Sequence, residues 1–589
     1  SIRQWSLKKL ADYGFDAATG VWAECPGYSS VVVGDYASFV SLFDENLGMD
    51  LTKEIPVLPK AVEAMPQYLF PNRMVCGFGD THPSTLRTDI FRYMIQNART
   101  HGKSEEERKF TAMLKLFDPS SSLPVAERGK APVAITSFFA GKPLVLDEKV
   151  KAGQIDDYVT PTFYAPNVSW LVQRNGMNSR HSLMVSLNGS EGNHMHANGI
   201  SMELYGKGYV LGPDAGIGKT LYQGLDYLEY YSQFPSHNTV CVDGISSYPV
   251  MKSNHSFKLR ALYPATGERI PYQPISYSEV YFREPETFAD QTRLNGIVNV
   301  GDSAGYYIDI FRSRKVEGGD KMHDYFYHNL GQHMTLTAAD GSELGLQPTQ
   351  ELAFAGAHLY AYSYIYNKKR AVTNKDVKAG FTIQMPDKDD ITMNLWMKGE
   401  EGREIFSALS PMTEGLSRIK NMPYSIKDQP TLTFVARQKG EAWNRPFVAV
   451  YEPSTLKEPS CIASVDYPQV KSEQQGSHVG IRVALTNGNV DWILSSDENA
   501  HHCKLEKLQA RAGYALCRQS EKGETLQAFL GNGTQLEADG VSIRTDAPAD
   551  VLLLKQDGKW MYTATAPCRV VVGKKKYTLS VSKELRLLK

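Results

Sequence analysis

The sequence has almost no net charge: 64 Lys and Arg stand against 65 Asp and Glu, for a formal charge of −1. A nucleic-acid binder's basic footprint is therefore missing, and an anionic partner would have to be held by local cations. No apolar run reaches about eighteen residues, which leaves no helix to span a membrane. Cysteine is sparse and scattered, at positions 25, 76, 241, 461, 503, 517 and 568, and no C-x-x-C pair occurs. That excludes a zinc ribbon and a thioredoxin-like redox site. Cys503 and Cys517 could pair across a hairpin, but free buried thiols are the expectation. The opening residues, SIRQWSLKKLADYGF, contain no apolar stretch of the signal-peptide kind. Repeats and low-complexity tracts are absent as well. GIGKT at 216–220 is no phosphate-binding loop, because Pro213 occupies the position where that loop needs its first glycine and Gly212 is one residue too early.

What is present is the composition of a folded protein, 42% hydrophobic and 22% charged. The length, 589 residues, is too great for one ordinary core and points to two to four domains. The first 120 or so residues carry helical periodicity. KSEEERKFTAMLKLF (103–117) places Phe110, Met113, Leu114 and Phe117 at three-to-four spacing. TLRTDIFRYMIQNAR (85–99) does the same with Leu86, Ile90, Met94 and Ile95. AECPGYSS (23–30) and VCGFGDTHPS (75–84) read as loops between helices, and PVLPKAVEAMP (56–66) and the stretch around 420–430 read as connectors. From about residue 166 the pattern changes to short alternating runs bounded by Gly and Asn-Gly, the signature of antiparallel sheets stacked as a sandwich. The expected division is 1–165 helical, 166–450 β-sandwich and 451–589 a C-terminal β-sheet domain. That last part has no dense polar cluster and is expected to support or contact glycan.

Chemistry concentrates in NHMHANGISMELYGKGYVLGPDAG (193–216). In an extended chain alternate side chains share a face, so His194 and His196 are expected to point the same way. Two exposed histidines beside a loop is the plainer account. Two histidines and one carboxylate form a common three-ligand zinc set that leaves one position open, and Asp214 and His237 are within reach of such a set. A simple hairpin register puts Asp214 opposite about residue 200, so the chain would have to bend back after Leu211, at Gly212 and Pro213. Tyr28 follows Pro26-Gly27 and is presented from a tight turn. Tyr230 and Tyr231 precede His237, and Arg180 with His181 begins the strand before the histidine pair. The plainer readings are a tyrosine capping a helical core, aromatic packing under a loop and solvated edge residues.

Taken in order, WAECPGYSS, the stretch at 193–216, FPSHNTVCVDG and YYIDIFRSRKVEGGDKMHDYFYHNLG resemble the heparinase II/III-like polysaccharide lyases. The resemblance covers roughly residues 10–335. It implies a multidomain α+β fold, the C-terminal part of an (α/α) toroid followed by antiparallel β-sandwich domains. It also implies β-elimination at a uronic acid of an acidic polysaccharide, heparin or heparan sulfate ahead of alginate. Tyr28 would be the general acid and, for some substrates, also the base, with His194 assisting. His196, Asp214 and His237 would hold a structural zinc ion, and no organic cofactor is implied. Tyr231, or Tyr230 in its place, would contact substrate, and Arg180 is the local cation for it. In the family, the group that neutralises the uronate carboxylate lies upstream of the tyrosine loop. Only 27 residues precede Tyr28, so an N-terminal portion of the same protein is an expected partner, beside a possible oligomer. A polymeric substrate implies a periplasmic or secreted protein. Two other readings compete: a toroid glycoside hydrolase using Glu24 and Asp80 across one cleft, and a non-catalytic glycan-binding protein.

Overall fold

The computed structural model describes residues 6–122, 144–218, 224–246, 251–353, 360–386, 389–413 and 429–589. Helices come first and antiparallel sheets follow. The helix Ser104–Phe117 turns Phe110, Met113 and Leu114 into the core, and Asp89–Thr100 buries Ile90, Met94 and Ile95 against it. Both follow the apolar stripe in the sequence. The expected connector at 56–66 is instead largely helix, Val57–Ala64, with Leu58, Ala61 and Val62 buried. Pro56 precedes that helix and Pro59 falls within its first turn, where a missing N–H costs no hydrogen bond. The stretch at 420–428 lies outside the described residues.

A five-stranded meander joins the helices to the larger sheets. It runs Thr162–Ala165, Trp170–Arg174, Met184–Asn188, Ser201–Gly206 and Tyr209–Gly212. Its strands are buried on both faces, and period-two alternation divides them between two cores. Trp170, Val172, Met184 and Tyr205 pack into the helical cluster, whereas Leu171, Val185, Leu187, Met202 and Leu204 pack into the sheet cluster. Arg174 reinforces the join from a fully buried position, donating to Gln67 Oε1 (3.0 Å), Gln67 O (2.8 Å) and Thr160 O (3.1 Å).

Beyond the meander, an eight-stranded and a six-stranded antiparallel sheet share one hydrophobic cluster between their inner faces. The outer face of the eight-stranded sheet, with Tyr277, Leu294, Ile308 and Val450, packs on Ile481, Ile493, Tyr514 and Phe529 of the C-terminal sheet. That C-terminal sheet folds its strands, from Ile462–Asp466 to Ser582–Leu587, around a core of its own. All seven cysteines are free and buried. Among the described residues, no helix is long and apolar enough to cross a membrane.

Candidate active site

PGYSS is the first turn of a long helix, Pro26–Leu47, and not part of a loop. Proline at the first helical position pre-sets the backbone angle and gives up an N–H that would have no helical partner. Tyr28 is therefore carried on a rigid element. The Gly27 N–H donates to Thr81 Oγ1 (3.1 Å), which fixes that turn to the 75–84 loop. On the other side a parallel bridge joins Glu24 to Asn193, and the Asn193 N–H donates to Ala23 O (3.0 Å). The strand Ser190–Met195 is thus stitched to the start of the helix.

His194 is the extra residue of a β-bulge on that strand: Asn193 pairs with Lys252 and Met195 with Met251, with the register shifting between them. Its φ is +57°, in the left-handed region that non-glycine residues seldom adopt. A bulge re-aims a side chain, and the two imidazoles accordingly do not share a face. The His194 ring lies on Tyr28, with centroids 3.5 Å apart and planes within 6° of parallel. Glu24 Oε1 lies 3.6 Å from His194 Nδ1. The stacked pair is half-buried, with one side open to solvent.

His196 turns the opposite way, into the protein. Its Nε2 is 2.9 Å from Asp80 Oδ1, which also accepts from Tyr227 Oη (2.7 Å). His237 Nδ1 lies 2.9 Å from Asp214 Oδ2, and the Gly216 N–H donates to Asp214 Oδ1 (3.0 Å). Asp214 gets there as the sequence required: the last strand of the meander ends at Gly212 and the chain bends away. One ligand atom from each of His196, Asp214 and His237 falls within 4.8 Å of the others, and all three residues are buried. His196 Nδ1 and His237 Nε2 have no hydrogen-bond partner. Buried imidazole nitrogens without partners, beside a carboxylate, are the donor set a zinc ion takes, so these residues fit the metal. Burial pushes the Asp214 carboxyl up, but the adjacent His237 and His196 outweigh it and hold the group below its ordinary range. Glu203, buried beside Asp214 and accepting from the Gly77 N–H (2.9 Å), is pushed up to about 8 by burial and by the Asp214 charge.

The two tyrosines expected at the substrate are inside the core. Tyr230 is 1% exposed and Tyr231 2% exposed, and Tyr231 Oη donates to Met412 O (2.7 Å). A single π-turn, Tyr227–Tyr231, rotates both rings into the sheet cluster. The residue of that turn that reaches the histidine cluster is Tyr227, which the YY pair overshadowed in the sequence. Burial and the Asp80 charge push its phenol well up, so it stays a donor. Arg180 pairs with Glu458 (3.0 Å), which also takes Lys207 (2.7 Å). Arg180 borders a cavity of about 610 Å³ with Glu203, Lys207 and Asp214, whereas Tyr28 and His194 do not line that cavity. Asp80 is completely buried and bonded to His196 and Tyr227, so the carboxylate pair a hydrolase would build from Glu24 and Asp80 does not face one cleft.

Residues 18–122 match the family described as "Endo-acting ulvan lyase 2nd domain". The chain is 25% identical over 559 residues to an endo-acting ulvan lyase of Formosa agariphila, covering 90% of this chain and 65% of that protein. Among solved structures, a heparinase III gene product with methylated lysines superposes with a TM-score of 0.50 at 13% identity, covering 81% of this chain and 58% of the other. That structural likeness concerns the fold alone. The chain thus spans somewhat less than two thirds of the length of the relatives it matches. The two sequence matches are to ulvan lyases, which are polysaccharide lyases, the group whose heparinase II/III-like members residues 10–335 resemble.

Proposed function

We propose that the protein cleaves a uronate-containing acidic polysaccharide by β-elimination at the Tyr28–His194 stack. The observation that carries this reading is the stack itself: a phenol fixed on a helix start and an imidazole on a strained bulge, 3.5 Å apart and open to solvent. Elimination needs one group to take the proton at C5 and one to protonate the leaving oxygen on C4, and both can be tyrosine or histidine. The Tyr28 hydroxyl gives its proton to the glycosidic oxygen, the C4–O bond breaks and a C4=C5 double bond forms. The C5 proton passes to the Tyr28 oxygen, or to His194 for the opposite epimer. No covalent intermediate and no second carboxylate are required, in contrast to glycoside hydrolysis.

In this reading residues 1–165 are the helical, toroid-derived part, 166–450 the sandwich that carries His194, and 451–589 a supporting sheet. His196, Asp214 and His237 hold a structural zinc ion that keeps the Met195–Ala197 segment fixed while His194 works on the other side. The metal takes no part in the proton transfers. The sequence likeness to an ulvan lyase puts ulvan ahead of heparan sulfate, heparin and alginate as the first polymer to assay, and a polymeric substrate implies a protein that works outside the cytoplasm. The test is ultraviolet absorbance of the unsaturated uronate during digestion by the full-length protein and by Tyr28→Phe. Absorbance that rises for the parent and stays flat for the folded variant supports the reading. New reducing ends without absorbance would sink it.

A further inference from the structure

A second histidine–carboxylate cluster lies far from the stack, in the C-terminal sheet. His478 opens the strand His478–Leu485, and Asp497 and His501 belong to the loop that leads into His502–Leu505. One ligand atom from each residue falls within 4.8 Å of the others, and all three side chains are half-buried. His478 Nε2 and His501 Nδ1 are 3.2 Å apart, with ring planes at 71°. Two nitrogens on one tetrahedral zinc, each about 2.0–2.1 Å from the metal, stand about 3.3 Å apart. The observed separation is that of a shared ligand sphere as well as of a hydrogen bond.

Two further features separate this cluster from a chance pair. Gly476 lies against it: a Cβ there would come within 2.7 Å of Asp497 Oδ1 and 3.0 Å of His501 Nδ1. Gly476 is not among the positive-φ glycines, so what the position demands is space rather than backbone freedom. The carboxylate is also pre-positioned. Asp497 Oδ2 accepts from Trp443 Nε1 (2.7 Å) and Oδ1 from the Ser477 N–H (3.0 Å), and each oxygen keeps a lone pair. The opposing charge is Arg312, buried behind Ser477 and donating to Ser477 Oγ (2.8 Å), and Glu279 and Asp497 balance it.

We propose that His478, Asp497 and His501 form a second zinc site, with water in the fourth position, that clamps the 497–501 loop to the strand beside it. Through Trp443 the same clamp ties the C-terminal sheet to the Ala442–Thr455 strand of the eight-stranded sheet. The proposal is independent of the catalytic reading and of the His196 cluster.

The test is zinc content per chain, by mass spectrometry, after the full-length protein is loaded with Zn²⁺ and dialysed free of excess. His501→Ala and Gly476→Ala are each expected to carry one zinc fewer than the parent, with an unchanged circular-dichroism spectrum. His196→Ala, measured in parallel, reports the other cluster: if that cluster holds no zinc, the parent carries one and His501→Ala carries none. Cobalt loading of the parent should add a tetrahedral d–d absorption that His501→Ala lowers. Should His501→Ala unfold, His478→Gln replaces it. Equal zinc content in the parent and in both folded variants would overturn the proposal and leave the pair as a histidine–histidine hydrogen bond.

Discussion

Replacing Gly79 by alanine is a sharp test of how the Tyr28–His194 stack is held. Gly79 has φ +63°, and a Cβ there would come 2.5 Å from His194 O, 2.8 Å from Cys25 Cβ and 3.4 Å from Met195 Sδ. Ordinary contact begins near 3.4 Å, so the His194 carbonyl would have to retreat by the difference, 3.4 − 2.5 = 0.9 Å. It cannot do so freely, because the Asp80 N–H donates to that carbonyl (3.0 Å) and Cys25 closes the other side. The displacement therefore passes to the bulge and to the ring on Tyr28. A misplacement of about 1 Å at a reacting group costs about 10²-fold in rate. The left-handed conformation adds about 1–2 kcal/mol for an alanine, and the crowding about 1–3 kcal/mol. Gly558→Ala is the control. Its φ is +75° with nothing within 4 Å of the added carbon, so it should lose only the conformational cost of about 1–2 kcal/mol and keep its rate. The assay is kcat/KM from product absorbance, beside denaturant unfolding. A Gly79→Ala protein that stays folded with the parent's rate would refute the claim that this close approach sets the site.

Other expectations follow from the same contacts. Asp80→Asn removes the charge that holds the His196 Nε2 proton and should weaken zinc binding by about 10–100-fold, measured by chelator competition. Arg174→Leu leaves the carbonyls of Gln67 and Thr160 without donors and should cost about 3 kcal/mol in chemical denaturation. Burial raises Asp550 to about 6, against the pull of the Asn532 N–H and the Tyr277 hydroxyl. Its folded value lies above its unfolded value of 3.8, so the folded state binds the proton more tightly. Stability from this group is full below about pH 4 and is lost as pH rises through about 6, a swing of about 3 kcal/mol. Asp550→Asn should abolish that swing, and parallel unfolding curves for parent and variant at both pH values would contradict it.

Much of the fold was legible because burial leaves a period in the sequence. The helices at 89–100 and 104–117 are strongly periodic, and the structure places them as expected. Two helices were hidden by proline. Pro26-Gly27 and Pro56 look like turns in sequence, yet each proline stands at a helix entrance, where its missing N–H is harmless. The bulge at His194 left no signal that could be read. One inserted residue separates two histidines that alternation puts on one face, and the insertion shows only in the pairing with the partner strand. The set His196, Asp214 and His237 came from the family resemblance, residue chemistry alone leaving open which histidines join Asp214, and the structure gathers these three through the bend after Gly212 that such a set demanded. The family resemblance pointed to Tyr230 and Tyr231, whereas the plainer reading of the pair was aromatic packing under a loop. A π-turn, which local spacing does not reveal, buries both and sends Tyr227 to Asp80.

The most direct test of the account is the mass of the oligosaccharides released from ulvan, and then from heparan sulfate, by the full-length protein. Elimination at the Tyr28–His194 stack predicts that every fragment beginning at a cut uronate lacks one water relative to its hydrolytic counterpart, carries an unsaturated end, and disappears when Tyr28→Phe replaces the parent. Fragments heavier by that water, or unsaturated products formed equally well by the Tyr28→Phe protein, would contradict it.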